Sequence, residues 1–163
     1  MSARLHVLAR RIEREIDALD RAAATVERHW QLAPTAADED AYLNSVALGL
    51  HSWYSGLERI FEAIAIELDG GLPEGDAWHA ELVRQMTLDI SPTRPSVLND
   101  EVVGQLDEYL RFRHLIRNIY ATNLDPRRVG ELVRTLPSLW TAVKTQLEAF
   151  ASFLTALSRE SEP

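Results

Sequence analysis

Apolar residues recur at steps of three and four along almost the whole chain, the spacing that draws one buried stripe down an α-helix. Over roughly residues 3–31 the stripe is Leu5, Leu8, Ile12, Ile16, Leu19, Ala23, Val26 and Trp30, and "QLAPTA" breaks it at Pro34. From about 37 to 69 it resumes as Leu43, Val46, Leu50, Trp53, Leu57, Ile60, Ile64 and Leu68, until Gly70-Gly71 and Pro73. A glycine that can turn left-handed, followed by a proline that cannot continue a helix, is a stop signal. "GDAWHAELVRQM" (75–86) predicts a short helix capped by Asp76. Two prolines in "DISPTRPSV" then require a non-helical connection. A third long helix is expected from Asn99 or Asp100 to about Tyr120, through Val103, Leu106 and Leu110. Asp125 as N-cap and Pro126 as first helical residue open a last helical region, 126–158, which Pro137 is expected to kink or split.

No useful window shows the apolar–polar alternation of a strand. The pattern predicts an all-α fold, an up-and-down bundle of four to five helices. At 163 residues it is expected to form a single domain over 1–163, its last residues, 159–163, frayed. The chain has no Cys, which rules out disulfides and thiolate metal sites. Charges every few residues at the start do not fit a signal peptide, and no apolar run approaches the roughly 20 residues of a membrane span. A soluble, cytoplasmic protein is expected.

Charge changes the picture in one place. The net charge is −8, which opposes indiscriminate binding to phosphate. Yet Arg111, Arg113, Arg117, Arg127, Arg128 and Arg134 fall within residues 111–134, opposed there only by Asp125 and Glu131. That window carries +4 and the rest of the chain −12. Its core is "RFRHLIRNIYATNLDP" (111–126), the C-terminal half of the third long helix and the turn that ends it. On a helix Arg113 and Tyr120, seven apart, share a face with Ile116 and Arg117 beside them; His114 and Asn118 lie on the next face with Arg111. Guanidinium forks match phosphate oxygens, so the strip can bind phosphate. It can equally be an ion-paired surface, with Glu108 or carboxylates of another helix as partners. Arg127 and Arg128, at a helix N-terminus where cations oppose the macrodipole, favour an anion-facing role slightly.

Familiar catalytic sites are absent. There is no glycine-rich phosphate loop, no Gly-x-Ser-x-Gly elbow and no HExxH. His6, His29, His51 and His79 lack the Glu and Glu-x-x-His spacing of a bundle di-iron site, so neither a metal nor a cofactor is expected.

"RHLIRNIY" (113–120) resembles the signature of the HEPN (higher eukaryotes and prokaryotes nucleotide-binding) superfamily, Arg followed after four to six residues by His. In its HepT branch the signature extends to Arg-x-x-x-x-His-x-Tyr. Arg113, Tyr120 and the spacing match; Asn118 stands where the histidine would. "YSGLERIFEAIAIELDG" (54–70), "GDAWHAELVRQM" (75–86) and "LRFRHLIRNIY…NLDPRRV" (110–129) look like the HepT-like group in the same order, so the resemblance covers most of the chain from about residue 40.

The resemblance implies the toxin of a toxin–antitoxin pair, a homodimer whose two motifs meet in a cleft that cleaves RNA without a metal, tRNA being one target class. It implies as partner a minimal nucleotidyltransferase antitoxin that silences the toxin by transferring AMP to Tyr120. Arg113 would hold the scissile phosphate, and Arg111, Arg117, Arg127 and Arg128 would extend the contact with RNA. The departure at Asn118 matters because an amide does not titrate and cannot serve as general acid or base. His114, one turn back on the same face, could supply an imidazole. His79, next to Trp78, is a more distant candidate that also fits plain packing. The alternative reading is a non-catalytic HEPN module that partners a nucleotidyltransferase, and a third is a helical interaction protein with no nucleic-acid role.

Overall fold

The computed structural model describes residues 2–118 and 124–160, with residues 117 and 118 through their backbone alone. These residues form five α-helices: α1 (Ser2–Leu32), α2 (Glu39–Ile64), α3 (Trp78–Gln85), α4 (Asp100–Asn118) and α5 (Pro126–Glu160). The all-α bundle predicted from the apolar stripes is what the chain builds, and no strand occurs among the described residues. Among the described residues no helix is long and apolar enough to cross a membrane.

Small residues set the helix register. A Cβ on Gly49 would meet Val26, and one on Gly56 would meet Leu19, so α1 and α2 run antiparallel in close approach. Along α1 and α5, Ser2 Oγ donates to the Ser158 carbonyl, Trp140 Nε1 to Asp20, and Gly130 faces the Trp30 indole, again antiparallel. Tyr109 of α4 donates its hydroxyl proton to Leu132 O of α5 at 2.7 Å. Burial pushes this phenol up to about 12. At the centre Trp53 packs against Tyr109 and edge-on against Trp140, their ring centroids 5.3 and 5.9 Å apart. Removing this much apolar and aromatic surface from water is the main stabilising term.

Several helix ends follow the sequence signals. Asp38 accepts from Ala41 N–H and Asn99 from Val102 N–H, while Asp125 accepts from Arg127 N–H just ahead of Pro126. After Ile64 the second helix widens into a π-turn, Ala65–Asp69, that ends at left-handed Gly70. Asp76 does not cap α3. Trp78 N–H bonds back to the Gly75 carbonyl, so Asp76 is spent inside a tight turn and Ala77 becomes the cap residue. Pro137 does not split the last helix either. Leu136, Leu139 and Trp140 are buried on either side of it, and their packing outweighs the roughly 3 kcal/mol a helical proline costs. The helix is described to Glu160.

The connection from α3 to α4 is held by a buried arginine. Arg94, 2% exposed, donates from Nε and Nη2 to the two oxygens of Asp69, from Nη2 to Gln85 O, and from Nη1 to Leu88 O and Pro95 O. Gln85 Nε2 adds a bond to Asp69 at 2.6 Å. The end of α2 is thereby clamped to both ends of the connection, and α3 is fixed across α2 and α4.

Candidate functional site

The clamp on α3 decides what meets at the junction of α2, α3 and α4. Glu58 of α2 is 4% exposed, an acid on the buried face of its helix between Tyr54 and Phe61. Its Oε1 pairs with Arg113 Nη2 of α4 at 2.8 Å. Its Oε2 lies 2.7 Å from His79 Nδ1 of α3. An ionised carboxylate can only accept, so the imidazole donates from Nδ1, and in its neutral form the lone pair is on Nε2. Trp78 stacks on the His79 ring at 3.6 Å between centroids, and His114 meets that ring edge-on at 5.4 Å. A guanidinium, a carboxylate and two imidazoles from three helices thus form one cluster.

The cluster is under-bonded. Arg113 is 8% exposed, and its Nε and Nη1 are buried with no hydrogen-bond partner among the described residues. The Tyr54 hydroxyl, one turn before Glu58 and also buried, has none either. Burial, with the Glu58 charge adding to it, pushes the Tyr54 phenol far above its ordinary value despite Arg113. Each unpaired buried donor costs about 1–3 kcal/mol. Tyr54 borders a cavity of about 220 Å³ that Val83, Gly104, Asp107 and Leu110 also line.

Several residues singled out from the sequence lie elsewhere. Arg111 is exposed and pairs with Asp107 at 2.6 Å and Glu108 at 3.2 Å, the ion-paired surface that was one of its two readings. Arg127 is exposed beside Asp125. Arg128 lines a separate groove with Glu108, Glu131 and Tyr109. His114 is exposed at the edge of the cluster. Asn118 ends α4; its side chain, that of Arg117, and Tyr120 lie outside the described residues. Arg113 does not project from a surface strip, because its face of α4, with Tyr109 and Phe112, packs inward against α2. Among the described residues no group of three His, Asp or Glu side chains could hold a metal.

Sequence reasoning missed Glu58 and its bond to His79. The signal was present: an acid one turn from Tyr54 and three residues before Phe61 interrupts a buried stripe, and a buried charge needs a partner. A second groove, about 480 Å³ between α1 and α2, is lined by Arg11, Arg14, Arg21 and Arg59 with Glu15. Arg59 is exposed and already paired with Glu15.

The segments that build this cluster are those a family model described as HepT-like protein recognises, matching residues 45–154. The chain belongs to the HepT-like family. The match places it in the HEPN superfamily and runs from within α2 to within α5, so Glu58, His79, Arg113 and His114 all lie inside it and α1 lies outside. No curated protein and no solved structure matches this HepT-like chain.

Proposed function

We propose that this HepT-like protein is a toxin that cleaves RNA without a metal, tRNA being the expected target, and that a minimal nucleotidyltransferase antitoxin silences it by transferring AMP to Tyr120. One observation carries the reading. Arg113, the arginine of the motif, is held by Glu58 through a single nitrogen and keeps three N–H bonds, on Nε and Nη1, without a partner among the described residues. A phosphodiester oxygen is the acceptor such a fork is shaped for. In the single chain these donors lie below the surface, so RNA reaches them only with a displacement of the chain around them. A dimer whose paired motifs form one cleft would place that opening between two copies. AMP on Tyr120 would add a phosphodiester charge and bulk seven residues after Arg113, which would repel RNA.

Expression of the chain in bacteria without its partner arrests growth, and Arg113→Ala restores it. Normal growth at good yield of soluble wild-type protein would refute the toxin. Co-expression with a minimal nucleotidyltransferase gives one AMP on Tyr120 by mass spectrometry, and none on Tyr120→Phe.

Asn118 favours the second reading, a HEPN module that binds RNA without cutting it. Purified protein incubated with RNA over a pH series separates the two. Bound but intact RNA, and cleavage gained by Asn118→His, would establish the binder.

A further inference from the structure

RNA cleavage by attack of the 2′-hydroxyl moves two protons, one off the nucleophile and one onto the leaving oxygen. Asn118 can move neither. Resting on the ribonuclease reading, we propose that His79 and His114 are the acid–base pair of this site, His79 the base and His114 the acid.

The geometry assigns the roles. Glu58 accepts a hydrogen bond from His79 Nδ1–H at 2.7 Å, so in the neutral ring Nε2 is the acceptor, the tautomer and orientation a general base needs. Trp78, stacked at 3.6 Å, covers one face of the ring. The second oxygen of Glu58 pairs with Arg113, so one carboxylate holds both the base and the phosphate-binding guanidinium. His114 follows Arg113 directly in sequence, is exposed, and has its ring 5.4 Å from that of His79. On this proposal a phosphodiester bound to Arg113 meets both imidazoles once the chain around the buried donors is displaced.

In the step, His79 Nε2 takes the 2′-hydroxyl proton, the O2′–P bond forms and the P–O5′ bond breaks. The His114 imidazolium gives its proton to O5′. The products are a 2′,3′-cyclic phosphate and a 5′-hydroxyl, and the two imidazoles return to their starting states by exchange with water. Glu58 is a positioning residue. Among the described residues the charged groups facing His79 are Glu58 from α2 and, across it, Arg113 with His114 from α4; Glu81 and Arg84 are the other charges on α3. The reaction requires neutral His79 and protonated His114, so its rate is bell-shaped in pH.

The test uses the full chain, a mixed-sequence oligoribonucleotide, and the same oligomer with sulfur replacing each bridging 5′-oxygen, whose thiolate leaves without a proton. Wild type cuts the ordinary RNA with a bell-shaped profile. His79→Asn and His114→Asn each cut it about 100-fold slower or worse. Sulfur restores His114→Asn and not His79→Asn. The acidic limb of the profile disappears in His79→Asn and the alkaline limb in His114→Asn. Glu58→Gln moves the acidic limb to lower pH, a shift that a purely structural role would not give. Circular dichroism confirms folding, and His79→Gln, which keeps a hydrogen-bonding group for Glu58, replaces His79→Asn if that variant unfolds. Histidine variants that cut at the wild-type rate, or sulfur that rescues both or neither, overturn the pair while the ribonuclease stands. Wild type that leaves RNA intact at every pH overturns the ribonuclease reading and the pair with it.

Discussion

Among the described residues two arginines are buried, and they are bonded in opposite ways. Arg94 spends all five of its N–H bonds, two on Asp69 and three on backbone carbonyls. Arg113 pairs with Glu58 through Nη2 and leaves Nε and Nη1 unmatched. A guanidinium taken out of water costs several kcal/mol, and only full hydrogen bonding repays it. Arg94 has the bonding of a structural brace. Arg113 keeps the unspent donors that a ligand would take, and the fold bears the cost, as sites of function commonly do.

The largest expected effect is on the brace. Arg94→Met leaves Asp69 buried without a counter-charge, held by Gln85 alone, and lets go of three carbonyls, so it should lower stability by about 3–5 kcal/mol in urea unfolding. The next is on the unspent donors. An oligoribonucleotide at a hundred times its Kd should stabilise wild type by about 2.7 kcal/mol, and Arg113→Met should abolish the shift in a thermal-melt series. Arg113→Met itself should cost about 1 kcal/mol or less, since the lost ion pair is offset by removing buried unpaired donors and Glu58 keeps His79. A loss as large as that of Arg94→Met would break the comparison and make Arg113 a second brace.

The smallest effect belongs to a charge pair at the surface. Burial pushes the Asp20 carboxyl up, but hydrogen bonds from Lys144 and Trp140 outweigh it and hold the group below its ordinary value. The same bond to Asp20 raises Lys144. A depressed carboxylate stabilises above its unfolded value near 3.9 and loses that as pH falls through the folded one; a raised lysine stabilises below about 10.4 and loses that as pH rises through its folded value. Asp20→Asn should therefore cost under about 1 kcal/mol at neutral pH, less at high salt, and nothing once pH lies below both carboxyl values. Urea midpoints across pH and salt check it.

Local signals were legible. The apolar stripes placed the four long helices, and Asp125 with Pro126 marked the start of the last, because period and capping depend on neighbours within one or two turns. Asp76 and Pro137 misled for the complementary reason: a turn through Gly75 and packing around Trp140 overrode a local preference. The motif arginine was visible, and its partner was not. Glu58 and Arg113 are 55 residues apart, and no spacing rule joins residues that meet only when helices pack.

By itself, then, the sequence determined the helices, their inward faces and the membership that residues 45–154 carry. Only the tertiary structure decided that Arg113 turns inward to a carboxylate that also holds His79, and that His114 closes on the same ring. The reason is that a buried charge is defined by what surrounds it, and its surroundings come from three separate helices.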